Sequence, residues 1–74
     1  MNLIPRIEGN KLIIFNADNG SIEATAELPG NSTYSGPVVS GDSVTVSIHP
    51  KNGGRDKIRV YDAKKATLNR EISL

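Results

Sequence analysis

The chain has no cysteine, no tryptophan and a single histidine among its 74 residues. Without thiols it cannot form disulfides or thiolate metal sites, and one histidine argues against a histidine-based metal centre. No apolar run approaches the roughly 18 residues that cross a bilayer. The sequence therefore predicts a protein with no metal, no cofactor and no membrane segment.

Aliphatic residues supply the material for a core: eight isoleucines, five leucines and five valines. A chain of this length forms one domain at most, here residues 1–74. Such a small domain buries only about 60% of its unfolded surface, and small domains gain support from disulfides, metals or self-association. Since the first two are excluded, we expect the protein to associate with itself or with another protein.

The N-terminal segment lacks both the basic region and the apolar region of a signal peptide. Together with the absence of a membrane segment, this predicts a cytoplasmic protein or one carried in a virion.

Polar and apolar residues alternate with the period of a β-strand, and no window shows a helical stripe. Residues 12–15 are the exception, because they are apolar on both faces, as in a strand covered on both sides. Gly9-Asn10 and Gly41-Asp42 are signals for two-residue hairpins. The predicted strands are 3–8, 11–16, 21–28, 36–40, 43–49, 57–62 and 67–74.

The short links between these strands predict antiparallel neighbours throughout. Three strands then form one meander and four form another, with a joint near residues 29–37. The predicted fold is all-β, with the two meanders packed as a small sandwich or barrel, since this buries both apolar faces within one chain.

Residues 11–28 match residues 57–74 without a gap. Most positions keep their character, although the second copy has Ala66 where the first has Gly20. A match of this kind indicates two similar hairpins. Three positions are identical, namely Lys11/Lys57, Ala17/Ala63 and Leu28/Leu74.

The segment Phe15–Gly20, followed by Ser21–Ala24, resembles the turn between the third and fourth strands of β-propeller blades of the quinoprotein and WD types. The segment Val60–Ala63 resembles the same turn. The resemblance implies that residues 36–74 form one blade and residues 3–28 three strands of another, although the typical tryptophan is missing. Because propellers have about 4–8 blades, it implies a ring completed by self-association, as the alternative to a self-contained sandwich.

The net charge of +1 is unevenly distributed. Residues 1–37 carry two basic and four acidic side chains, a net charge of −2, whereas residues 38–74 carry seven basic and four acidic side chains, a net charge of +3. A solvated surface with chance clustering of charge is the favoured interpretation, and head-to-tail association or an anionic partner is the alternative.

His49 is the only side chain whose ordinary titration range suits a general base near neutral pH. Ser47 lies on the same face of its strand, and Asp42 and Asp56 are candidate carboxylates for a Ser-His-Asp site. An exposed histidine at a loop edge is the favoured interpretation, so we predict no enzymatic activity and keep a small hydrolase centred on His49 as an alternative.

The candidate interaction surface combines a basic, glycine-rich loop at 51–59 with the last strand, because terminal strands at sheet edges can pair with another chain. We predict a non-catalytic structural or protein-interaction module, such as an accessory protein of a bacteriophage particle. A nucleic-acid or phosphate-binding module using the basic loop is the alternative. The surface residues are Lys51, Arg55, Lys57, Arg59, Lys64, Lys65, Arg70, Ile72 and Leu74.

Overall fold

The computed structural model describes residues 2–74, which form seven β-strands and no helix. All hydrogen-bonded neighbours are antiparallel. The all-β class predicted from the alternating pattern is therefore confirmed. The strands are β1 (Leu3–Glu8), β2 (Lys11–Asn16), β3 (Ile22–Glu27), β4 (Ser32–Ser40), β5 (Ser43–Pro50), β6 (Lys57–Asp62) and β7 (Leu68–Ser73).

The strands lie in two sheets, each following the order of the chain. The first sheet consists of β1, β2 and β3, and the second of β4, β5, β6 and β7. The backbones of β1 and β4 come within 8 Å of each other. Within residues 2–74 both sheets stay open, so the fold is the two-sheet form of the prediction and not a closed barrel. The radius of gyration, 12.0 Å, is close to the roughly 11 Å expected for a compact chain of this length.

Two of the tight turns depend on glycines with positive φ. Gly9 has φ 60° and Gly41 has φ 58°, a conformation that glycine adopts without steric cost. Across the first of these turns Glu8 pairs with Lys11, which leaves a loop of two residues. Both predicted hairpins are therefore present.

The connection between the two sheets is shorter than the predicted joint at 29–37. β3 ends at Glu27 and β4 already begins at Ser32. Tyr34 is half-buried against the core, and its hydroxyl donates a hydrogen bond to the Pro29 carbonyl. Its aromatic side chain and the neighbouring Thr33 suit a pleated sheet, whereas the glycines and serines around them suggest a loop.

Both sheets contribute to one cluster of buried side chains. The side of each sheet turned toward this cluster is its core face, and the opposite side is its outer face. Leu12 and Ile14 are fully buried on the core face of the first sheet. The whole cluster is Leu12, Ile14, Leu28, Val44, Val46, Ile48, Tyr61, Ala63 and Ala66.

The orientation of β6 is opposite to the one predicted from its charges. Tyr61 shares a strand face with Lys57 and Arg59, and these charges predict that the face is exposed. Tyr61 is nevertheless only 1% exposed, and it pairs with the buried Val44 on the core face. Ile58 and Val60 consequently lie on the outer face, where both are half-buried. Alternation alone shows which residues share a face, but not which face meets the core.

The β2–β3 and β6–β7 hairpins have the same turn geometry, at positions that differ by 46 in the sequence. The N–H of Gly20 donates to the Asn16 carbonyl at 2.8 Å, and the N–H of Ala66 donates to the Asp62 carbonyl at 2.9 Å. Gly20 and Ala66 both have positive φ, 76° and 56°. The matching segments of sequence therefore form matching turns.

The equivalence continues beyond the turns. The N–H of Leu28 donates to the Asn10 carbonyl at 2.7 Å, and the N–H of Leu74 donates to the Asp56 carbonyl at 3.0 Å. Register shifts also occur at equivalent places, after Ile14 in one hairpin and after Val60 in the other. Ile4 of β1 pairs with Phe15, and Val44 of β5 pairs with its equivalent Tyr61. The pairing of β5–β7 thus reproduces that of β1–β3.

Candidate functional site

Ser35, His49 and Asp56 form a hydrogen-bonded chain on the outer face of the second sheet. Ser35 Oγ lies 2.8 Å from His49 Nε2, and His49 Nδ1 lies 3.0 Å from Asp56 Oδ2. A hydroxyl, an imidazole and a carboxylate are thereby linked in the order of a serine-hydrolase triad. The His49 and Asp56 side chains are 38% and 50% exposed, so solvent reaches the cluster.

The strand register brings Ser35 to His49. Ser35 pairs directly with Ser47, and His49 follows Ser47 by two positions on the same face of β5. Ser35 and His49 are therefore diagonal neighbours on adjacent strands, a separation that a ring of this size can bridge. The serine predicted from the sequence, Ser47, lies on the same face but makes no hydrogen bond with His49 among the described residues.

Asp56, the residue immediately before β6, reaches His49 from the other side of β5. Ile48 pairs with Lys57, so the next positions outward, His49 and Asp56, face each other at the end of the sheet. Of the two predicted carboxylates, Asp56 is thus brought to the histidine. Asp42 lies at the opposite end of β5, where its carbonyl accepts a hydrogen bond from Ala63.

The outer face of the first sheet carries an apolar row across all three strands. Ile4 pairs with Phe15, and Phe15 pairs with Ile22. Ile4 is 53% and Ile22 57% exposed, and Phe15 is half-buried. The neighbouring Ile13 is also half-buried. Residues 12–15, predicted to lie in a strand covered on both sides, are therefore covered on one side only within residues 2–74.

The outer face of the second sheet is also apolar in part. Ile58 pairs with Ile72 across β6 and β7, and Val60 lies two positions from Ile58. On β4, Val38 points to the same side, because it pairs with Thr45, the partner of Val60. Ile72 is 41% exposed and Val38 60%. Both sheets thus present aliphatic side chains to solvent on their outer faces.

The basic residues of the candidate interaction surface do not form a single patch. Arg59 lies on the core face, where its Nε is 3.1 Å from the Glu71 carboxylate and its Nη1 is 3.1 Å from the Tyr61 hydroxyl. Burial lowers the pKa of Arg59, but the hydrogen bonds and charges of Tyr61 and Glu71 outweigh burial and raise the pKa above its ordinary value. Lys57 lies 4.0 Å from the same carboxylate.

The remaining cations are divided between the two ends of the second sheet. Lys51 and Arg55 belong to the β5–β6 loop, and Lys64 and Lys65 to the β6–β7 turn at the opposite end. Arg70 is exposed on the outer face beside Val60. The exposed Ile72 and Leu74 adjoin Arg70 on the same edge. Of the predicted surface, only the residues of the edge strand 67–74, namely Arg70, Ile72 and Leu74, are therefore contiguous.

A shallow hollow of about 280 Å³ lies at the end of the second sheet, lined by Ser32, Pro50, Arg55 and Lys57 among others. Ser32 and Pro50 occupy core-face positions, whereas Ser35 and His49 occupy outer-face positions. The hollow and the serine–histidine–aspartate cluster are thus on different sides of β4 and β5.

The described residues group no three histidine, cysteine, aspartate or glutamate side chains as a metal site requires. From residue 2 onward, no helix is long and apolar enough to cross a membrane. Compared with known proteins, the chain matches no family model and no curated protein.

Proposed function

We propose that the protein is a non-catalytic structural or interaction module, which associates with copies of itself or docks on a larger assembly such as a bacteriophage particle. The observation that carries this proposal is the pair of apolar outer faces. A sheet with one solvated face normally alternates apolar residues inside with polar residues outside. Here isoleucine and phenylalanine occupy outer positions in the first sheet, and isoleucine and valine do so in the second.

Contact with another chain that covers these faces would be stabilised by the burial of apolar surface. Burial of a half-exposed isoleucine contributes on the order of 1 kcal/mol at about 25 cal/mol per Å² of apolar surface. The total accessible surface is 4572 Å², and a standard interface covers about 800 Å² per partner. A domain of this length has few other sources of stability.

The edge strand β7 is a further part of the proposed interaction surface. All six of its residues are exposed, and its free side presents unpaired backbone groups to which another strand can add. Ile72 and Leu74 would supply apolar contacts beside that edge.

The proposal is tested by comparing two neighbouring substitutions on β7. We expect Ile72→Lys, on the outer face, to lower the concentration-dependent mass measured by light scattering, because it places a charge in the apolar contact. Ser73→Lys adds the same charge on the other face of the strand and should leave the mass unchanged. Equal masses for wild type and both variants, all at 7.9 kDa, would contradict self-association. Absence of a copurifying protein as well would contradict docking.

The Ser35–His49–Asp56 cluster favours a second candidate function, hydrolysis of small activated esters. Ser35 Oγ would form a bond to the ester carbonyl carbon while its proton passes to His49 Nε2. The bond to the alcohol then breaks, and the departing alkoxide takes that proton. Water attacks the acyl group on Ser35 and gives a proton to His49. The bond between Ser35 Oγ and the acyl carbon then breaks, and His49 returns the proton to Ser35 Oγ as the carboxylic acid leaves.

This second candidate is tested with the nitrophenyl ester of acetic acid and mass spectrometry of the intact chain. We expect one acetyl group on Ser35 in the wild type, none at that position in Ser35→Ala or His49→Ala, and slower labelling in Asp56→Asn. Ser47→Ala is the matched control, because Ser47 lies on the same face without bonding to His49, and it should label normally. Labelling that persists at other residues in Ser35→Ala, with none on Ser35 in the wild type, would refute the candidate.

A further inference from the structure

The two equivalent hairpins turn opposite faces toward the core. Leu12 and Ile14 are fully buried on the core face of the first sheet. Their equivalents in the second sheet, Ile58 and Val60, lie on the outer face. Tyr61 is buried on the core face of the second sheet, whereas its equivalent Phe15 lies on the outer face of the first. The internal contact between the sheets thus joins two different faces of the same structural unit.

Consequently, the outer face of the first sheet corresponds to the core face of the second sheet, on which Val44 and Tyr61 are buried and Leu68 is 47% exposed. In the second sheet Val44, Tyr61 and Leu68 form a row on the core side. The register of the first sheet places its outer row of Ile4, Phe15 and Ile22 at the equivalent positions. All three positions are apolar in both sheets.

The outer face of the second sheet likewise corresponds to the face that the first sheet buries. Ile58, Val60 and Ile72 occupy the positions of Leu12, Ile14 and Ala26. The molecule therefore exposes, on its two outer sides, the two halves of a contact that it already makes internally.

We infer that copies of this chain stack head to tail, with the outer face of the second sheet of one molecule packed on the outer face of the first sheet of the next. This contact repeats the internal packing of the two sheets, and the inference rests on the self-association proposed above. The bound partner is thus a second copy of the chain, and the contact is heterologous, which generates a ring if the rotation closes and a filament if it does not.

The charges of the two sheets support this orientation. Residues 1–31 carry two basic and four acidic side chains, a net charge of −2, and residues 32–74 carry a net charge of +3 from seven basic and four acidic side chains. Head-to-tail contacts bring together sheets of opposite net charge, which favours the encounter. The attraction acts over a distance, because Lys57 and Arg59 lie on the core face and the loop cations at the ends of the second sheet. A two-fold contact would instead place two copies of the same sheet, with the same net charge, against each other.

The turns show the same asymmetry. Ala63 and Ala66, in the β6–β7 turn, are buried in the core cluster. Their equivalents in the β2–β3 turn, Ala17 and Gly20, are exposed. In the stacked arrangement the β2–β3 turn of one molecule meets the second sheet of the neighbouring copy, so that it gains the cover that the β6–β7 turn has within the chain.

Two double variants test the inference. Ile4→Lys with Ile22→Lys blocks the outer face of the first sheet, and Val38→Lys with Ile72→Lys blocks the outer face of the second. All four side chains are at least 41% exposed, so the folded monomer should tolerate the changes, and circular dichroism checks that each variant folds. We expect each double variant alone to be monomeric in light scattering.

The decisive sample is the equimolar mixture of the two double variants. Each retains the face that the other lacks, so the mixture should form a dimer of one copy of each and nothing larger. If the wild type associates but the mixture stays monomeric, or if either variant alone still dimerises through its intact face, head-to-tail stacking is wrong while self-association stands. A wild type that is monomeric at all concentrations would instead remove the self-association on which the inference rests.

Discussion

At the scale of single residues, the β6–β7 turn keeps the shape of the β2–β3 turn without its glycine. Ala66 takes φ 56° where Gly20 has φ 76°. The Asp62 carboxylate accepts hydrogen bonds from the N–H groups of Lys65 at 2.8 Å and Lys64 at 2.9 Å, which lowers its pKa below the ordinary value. Burial of Ala66 in the core and these bonds offset the strain of a left-handed alanine.

The same strain should appear if a side chain is added at Gly20. No atom lies within 4 Å of a Cβ built there, so the cost of Gly20→Ala comes from φ alone and should be about 1–2 kcal/mol of unfolding free energy. Gly30→Ala is the matched control, because Gly30 also has open space but no positive φ. Urea denaturation of both variants measures the difference, and equal stabilities would show that φ at position 20 is not restrictive.

The sequence alone indicates two of the three members of the Ser35–His49–Asp56 cluster. His49 and Asp56 were recognised because they are the histidine and a nearby carboxylate. Ser35 was missed, because it became a neighbour of His49 only once β4 was known to begin at Ser32 and to pair with β5 in that register. Ser47, which its spacing to His49 suggests, lies on the same face of β5 and pairs with Ser35. It makes no hydrogen bond with His49 among the described residues.

At the scale of the elements, alternation and turn residues were sufficient to predict seven strands with nearly their observed limits. The start of β4 was the largest difference, because Gly36, Pro37 and three serines obscure its pattern. The orientation of β6 was not predictable from β6 itself. Its core face carries Arg59 beside Tyr61, and the Glu71 carboxylate and the tyrosine hydroxyl satisfy the guanidinium there.

β2 offers a direct test of which face each sheet buries. Ile14 is fully buried and Ile13 is half-buried on the outer face. We expect Ile14→Val to lower the unfolding free energy by about 0.5–1.5 kcal/mol, since it removes a methyl group from packed surroundings. Ile13→Val removes the same group from the outer face and should cost clearly less in dilute solution. Thermal unfolding of the pair compares them, and a larger loss for Ile13→Val would reverse the assigned faces.

At the scale of the whole molecule, the chain consists of two similar sheets. Their internal contact joins two different faces, and an equivalent of each of these faces is exposed on the outside of the molecule. The arrangement gives a reason for the isoleucines exposed on the outer faces. In a protein with no disulfides and a small core, these side chains would be buried when another copy binds. The Ser35–His49–Asp56 cluster shares the outer face of the second sheet with the apolar surface, so a stacked neighbour would also limit access to that cluster.

The account depends most on self-association through the outer faces, and sedimentation equilibrium of the unmodified chain tests this directly. Measured over a dilution series, the weight-average mass should rise continuously above the 7.9 kDa of one chain as concentration increases. Higher salt should weaken the association, since the proposed stacking brings sheets of opposite net charge together. A mass that stays at 7.9 kDa across the whole series would contradict the account.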